Sequence, residues 1–281
     1  MAKTDIDIED LLVWAYRDEL PKAQVEPVSF SRGITPGWAG MSKFGKLLAV
    51  VDEGDIRNRY GVVPDRSATE GPHADAEAVA QAVEGLENLS LEIPGGWWPF
   101  ADWASPERWG EAGQLALRDV LDRICVVDES GVRRFKTSPA WLVRKHAMIA
   151  SAPDWEAEPP TYRTVKTRTG QNAWFVKRTI TLPQGGEYEV EQDGFNPTRR
   201  RPYRDAYMKM ELVPSPFYAG VDRAEYEVWH AGLTLLAEEL GNRLASRFVV
   251  GPRRSARPWE QEDVAQGRIL QAFSGVSTAG A

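Results

Sequence analysis

Apolar positions along the chain follow two periodicities, one helical and one alternating. The i, i+3, i+4, i+7 spacing of an amphipathic helix runs through Ile8, Leu11, Leu12 and Ala15. It predicts a helix over residues 4–20, capped by Thr4 and ended by Pro21. Residues 42–52 place Phe44, Leu47, Leu48 and Val51 on one face. Ala76, Val79, Ala80 and Val83 predict a helix over 73–86, and Trp109, Ala112, Leu117, Leu121 and Ile124 one over 106–128. Residues 139–151 form another, with Ser138 as its cap and Pro139 at its first position. The longest stripe is Tyr226, Trp229, Leu233, Leu236, Ala237, Leu240 and Leu244. It predicts a helix over 222–248, about 40 Å long at about 1.5 Å per residue. A short helix is expected over 260–273.

Alternation takes over between residues 172 and 213. In 172–182, Trp174, Val176, Ile180 and Leu182 fall on one face, and Phe175, Lys177, Thr179 and Thr181 on the other. Pro183-Gln184-Gly185-Gly186 reads as a turn. Residues 187–191 then set Tyr188 and Val190 against Glu187, Glu189 and Glu191. If the apolar residues share a face, Leu182 pairs with Tyr188 and Ile180 with Val190, around a three-residue loop. That register puts Thr179 opposite Glu191 and Lys177 near Asp193. A third strand is expected over 207–213, where Met208, Met210 and Leu212 alternate with Lys209 and Glu211. Three short strands with one apolar face need a helix to cover it. The expected class is therefore α+β: a mainly helical N-terminal half, and a small three-stranded antiparallel sheet packed under the long C-terminal helix. The Pro- and acid-rich stretch 153–160 suits a linker. It divides an acidic, mainly helical region, 1–155, from a basic sheet-and-helix region, 156–250, with a link, short helix and tail over 251–281.

Charge sharpens that division. The net charge of -7 over 281 residues is the balance of an acidic N-terminal stretch and a basic middle. Residues 1–130 carry 12 Lys/Arg against 24 Asp/Glu, and residues 131–209 carry 15 against 8. Two readings stand. The basic middle is a surface for an anion, or it pairs internally with the acidic half. The single cysteine, Cys125, excludes an intrachain disulfide and a cysteine metal cluster. No run of about 18 consecutive apolar residues predicts a membrane span. No apolar leader opens the chain, so no membrane partner and a cytoplasmic location are expected.

The common catalytic motifs are missing: no Gly-x-x-x-x-Gly-Lys-Ser/Thr, no Gly-x-Gly-x-x-Gly and no His-Glu-x-x-His. His73, His146 and His230 lie far apart in sequence, without the spacing of a zinc site. Cys125 sits on an apolar helical face, as an inert buried thiol does. Asp52, Glu53 and Asp55 fit a solvated turn as well as a divalent-ion site. No catalytic residue, metal ligand or cofactor is therefore assigned. The aromatic run from Pro94 to Trp103 is either a platform for a base or sugar ring, or a plug closing one end of the core. What remains is Arg199, Arg200, Arg201 and Arg204 interleaved with Phe195 and Tyr203. Arginines contact phosphates and aromatic rings stack on bases. Arg163, Lys166, Arg168, Lys177 and Arg178 extend the same basic patch.

Three segments resemble uncharacterised proteins encoded in bacterial prophages. They are Pro139-Ala-Trp-Leu-Val-Arg-Lys-His146 running on to Ala152-Pro-Asp-Trp155, Asn196-Pro-Thr-Arg-Arg-Arg201, and Tyr226-Glu-Val-Trp-His-Ala231 with its Leu/Ala-rich continuation. The resemblance implies a mobile-element context, where nucleic-acid-handling and host-interaction proteins both occur, and it brings no catalytic residues. The expected function is a prophage-type accessory protein that binds nucleic acid non-enzymatically through its basic loop and sheet surface. The alternative is a protein–protein interaction or assembly factor that meets a host or phage protein with its acidic N-terminal half.

Overall fold

In the computed structural model, which describes residues 3–24, 57–127, 129, 131–181, 186–260 and 270–271, helices alternate with short strands. The chain opens on β1 (Thr4–Asp7) and α1 (Ile8–Trp14), then continues as a π-helical stretch, Ala15–Glu19, and a 3-10 turn, Leu20–Lys22. There follow α2 (Ala74–Gly85), β2 (Ser90–Leu91), α3 (Pro106–Ile124), β3 (Cys125–Val127), β4 (Arg133–Phe135) and α4 (Pro139–Ile149). Next come β5 (Thr161–Thr164), β6 (Phe175–Thr181), β7 (Glu187–Asp193), β8 (Phe195–Asn196), β9 (Arg201–Pro202) and β10 (Met210–Val213). The last described elements are α5 (Phe217–Leu240), β11 (Arg247–Val250) and β12 (Leu270–Gln271). No helix among the described residues is long and apolar enough to cross a membrane.

Helix α5 is the element the core is built on. One side carries Tyr226, Trp229, Leu233, Leu236 and Leu240, all buried against apolar residues of α1, α2 and α4. Another side carries Ala224, Val228 and Ala231, packed with Trp97, Trp98, Phe100, Trp109, Val120 and Ile124. Trp97, Trp98 and Phe100 are all buried, so the aromatic run over 94–103 is a plug and not a platform. Its packing explains two glycines. A Cβ on Gly113 would meet the Trp98 ring at 2.8 Å, and one on Gly220 would meet the Phe100 ring at 2.9 Å. Gly110, with φ 51, breaks α3 after its first turn.

Buried polar groups tie the plug to α5 and to the stretch 251–260. Arg223, 1% exposed, bonds both carboxylate oxygens of Asp102 at 2.6 and 2.9 Å and the Pro99 carbonyl at 2.8 Å. Its guanidinium lies over the rings of Trp103 and Trp259, 4.3 and 5.1 Å from their centroids. One turn on, the Glu227 carboxylate accepts from Trp97 Nε1 and pairs with Arg257 at 3.0 Å. Burial pushes the Glu227 carboxyl up to about 7, against the pull of Arg257.

Several expectations need correction. The helix expected from Thr4 begins only at Ile8, because Asp7 is the cap: its Oδ1 accepts from Glu9 N at 2.8 Å. Residues 4–7 instead pair in parallel with 247–250, the tail of the stripe that predicted a helix to 248. Helix 42–52 lies outside the described residues, and so does most of 260–273, where Leu270–Gln271 pairs with Ser90–Leu91 as strand.

The three-stranded sheet is the main correction. All sheets among the described residues are two-stranded. Strand β10 pairs with β5, which lies beside the stretch read as linker, while β6 pairs with β7. Two isolated bridges link the pairs: Phe175 to Tyr207, and Lys166, just after β5, to Asn172, just before β6. Four strands thus replace three, and β10 packs against α3. Only Leu212 of the third strand's apolar residues is buried, in the cluster with Trp109 and Val120; Met208 and Met210 are exposed. Tyr162 anchors β5 by donating its hydroxyl to the Trp109 carbonyl at 2.9 Å. In the β6–β7 hairpin, Ile180 faces Tyr188 and Thr181 faces Glu187, two residues away from the expected register. The apolar faces still match, because a shift of two preserves the side. They are covered at one end only: Val176 is buried, Ile180 and Val190 are half-buried, and Tyr188 is 45% exposed.

Candidate functional site

The basic loop is built on Gly194. Its N–H donates to the Trp174 carbonyl at 2.8 Å, and its own carbonyl accepts from Tyr203 N at 2.9 Å. A Cβ there would lie 2.7 Å from Phe175 N, so only glycine lets the two ribbons approach this closely. From this pivot β8 and β9 form a small hairpin, pairing Phe195 with Pro202 and Asn196 with Arg201. Asn196 Oδ1 accepts from Thr198 N and Arg199 N, both at 3.0 Å, which closes the turn from inside. Arg200 takes the left-handed conformation at φ 52.

The result is an arginine-bearing tip with a fixed backbone. Arg199, Arg200, Arg201 and Arg204 are exposed. Their guanidinium groups make no hydrogen bond or ion pair with the described residues. The same holds for Arg163, on β5, and Arg168, in the turn after it. Other predicted residues are engaged. Arg178 pairs with Asp205 at 3.0 Å and covers the Tyr203 ring, its guanidinium 5.5 Å from the centroid. Lys177 lies 3.8 Å from Glu189, both exposed. Lys166 donates to Asn172 Oδ1 at 2.7 Å.

Beside the tip lies a groove of about 760 Å³, walled by Lys166, Asn172, Trp174, Phe175, Gln192 and Phe195 among others. Trp174 and Phe175 are half-buried and Phe195 is exposed. Two carboxylates border it, and both are occupied. Glu191 accepts from Lys209 and Tyr207, and these bonds, that from Lys209 foremost, hold its carboxyl below the usual carboxylate range. Asp193 Oδ1 accepts from Phe195 N at 2.8 Å. Of the groove residues only Lys166 and Phe195 were expected from sequence. Trp174 and Phe175 were visible as an aromatic pair opening a basic strand, but alternation assigned Trp174 to a covered face.

The acidic N-terminal half spends part of its charge elsewhere. Asp7 and Asp10 pair with Arg253, Glu9 with Arg254, and Asp102 with Arg223. Among the described residues, no group of three or more His, Cys, Asp or Glu is placed to hold a metal. His146 is buried at the edge of Trp229, and burial lowers its imidazole to about 4. No known protein family, no characterised protein and no solved structure matches this chain.

Proposed function

We propose that this protein binds nucleic acid without catalysing a reaction on it, through the arginine tip at 199–204 and the ribbon surface carrying Arg163 and Arg168. The observation that carries the proposal is the set of exposed guanidinium groups on a backbone-fixed hairpin, none of them bonded to a carboxylate among the described residues. Guanidinium groups match phosphate oxygens in charge and geometry. A rigid presenting loop lowers the ordering cost of binding. Internal pairing with the acidic half is the weaker reading, because Asp7, Glu9 and Asp10 meet arginines at 253 and 254 instead. The proposal places the protein in the cytoplasm as a prophage-type accessory factor.

The test is a low-salt binding assay with labelled single-stranded and duplex oligonucleotides, beside a pull-down from host lysate with and without nuclease. Binding that salt weakens, and a nuclease-sensitive pull-down, support the proposal. No binding of either strand form at low salt overturns it.

A further inference from the structure

We propose that the groove beside the arginine tip takes an unstacked base, which makes single-stranded nucleic acid the preferred ligand. This rests on the nucleic-acid reading above and narrows it. The groove and the tip divide the two chemistries of a strand between them. Phosphates are anions and bind at the exposed arginines. A base is neutral, flat and edged with donors and acceptors. It fits a cleft with aromatic walls and amide groups, which phosphate does not. Trp174 and Phe195 supply the rings, since Lys209 lies over that of Phe175, and Gln192 supplies a side-chain amide, since that of Asn172 is engaged by Lys166 and Met208. The volume, about 760 Å³, lies within the range of small-ligand clefts. Phe195 belongs to both parts: it lines the groove, and its neighbour Asn196 pairs with Arg201. A strand with its backbone on the tip therefore has its bases beside the groove. The bordering carboxylates oppose phosphate entry, yet Glu191 is neutralised by Lys209 and Asp193 is turned to the backbone of Phe195. Tyr203 is outside the groove, with Arg178 over its ring, so it is not assigned to base stacking. In a duplex the bases are stacked and paired, and none is free to enter.

The experiment compares the full chain on three probes of equal length: a deoxythymidine oligonucleotide, the same backbone made abasic, and a duplex. Wild type is expected to bind the thymidine strand about 5- to 150-fold more tightly than the abasic strand for each base held, the range that base–aromatic stacking gives. Phe195→Ala narrows that gap. Gln192→Ala, an exposed position, narrows it less. The triple change of Arg199, Arg200 and Arg201 to Glu weakens all three probes. The abasic comparison needs no variant, so it decides the matter even if Phe195→Ala folds poorly. Equal affinity for thymidine and abasic strands overturns the base groove and leaves nucleic-acid binding standing. Failure to bind any probe overturns both.

Discussion

Gly194 lies against the backbone of Phe175 so closely that a Cβ would stand 2.7 Å from one backbone atom and 2.8 Å from two others. The contact fixes the angle between the β6–β7 ribbon and the arginine hairpin, and so places Phe195 on the groove wall. Gly194→Ala must push the ribbons apart, a local strain of about 1–3 kcal/mol by analogy with overpacked sites. Amide hydrogen exchange should quicken across 172–207 and stay unchanged in α5. Equal protection of both regions in variant and wild type would show that the contact carries no constraint.

The Arg223–Asp102 pair should act as a strut between the plug and α5. Asp102→Ala leaves a guanidinium buried with only carbonyl partners, Pro99 and Trp155. Breaking one side of a buried pair costs about 3–5 kcal/mol. Asp102 retains 25% of its side-chain exposure, which keeps the expected loss at the lower end. Denaturant melts measure it, and a loss below about 0.5 kcal/mol, the size of an ordinary surface change, would contradict the strut.

Two buried groups pull stability in opposite directions as pH changes. Glu227, raised from 4.5 to about 7, stays protonated in the folded chain while the unfolded chain ionises, so its contribution falls as pH rises through that window. His146, lowered from 6.5 to about 4, stays neutral when folded while the unfolded chain holds a proton, so its contribution rises over that window. Their effects oppose each other where the windows overlap. Glu227→Gln should remove the fall and His146→Gln the rise, each seen as a sloping difference from wild type in denaturation between pH 4 and 7. Flat difference curves, or slopes of the opposite sign, would contradict these shifts.

Periodicity made the helical part of this fold legible. Ala76, Val79, Ala80 and Val83 are buried on α2 as spaced, and Trp229, Leu233, Leu236 and Leu240 are buried on α5. The sheet was less legible, for a physical reason. Alternation gives the side on which Ile180, Tyr188 and Val190 lie; it does not say whether anything covers that side. Thr161–Thr164 is short and polar, so nothing local marks it as the partner of β10. The pairing of β1 with β11 joins the two ends of the described helical core and has no local signal at all. At the site, the arginines were plain in the sequence. The groove was not, because it depends on Gly194 bringing Phe195 beside Trp174 and Phe175.

The α5 stripe permits a direct check of the core. Leu236 is fully buried, and Leu236→Ala should cost about 2–5 kcal/mol in denaturant melts. A loss under about 0.5 kcal/mol would place that face in solvent.

The central claim is that the arginine tip holds phosphates, and the salt dependence of single-strand affinity tests it most directly. Log affinity of the wild type should fall linearly with log salt. With Arg199, Arg200 and Arg201 all changed to Glu, that slope should flatten by about 0.7 per lost contact, about 2 in total, with an unchanged melting curve. Identical slopes in wild type and variant, or no wild-type binding even at low salt, would contradict it.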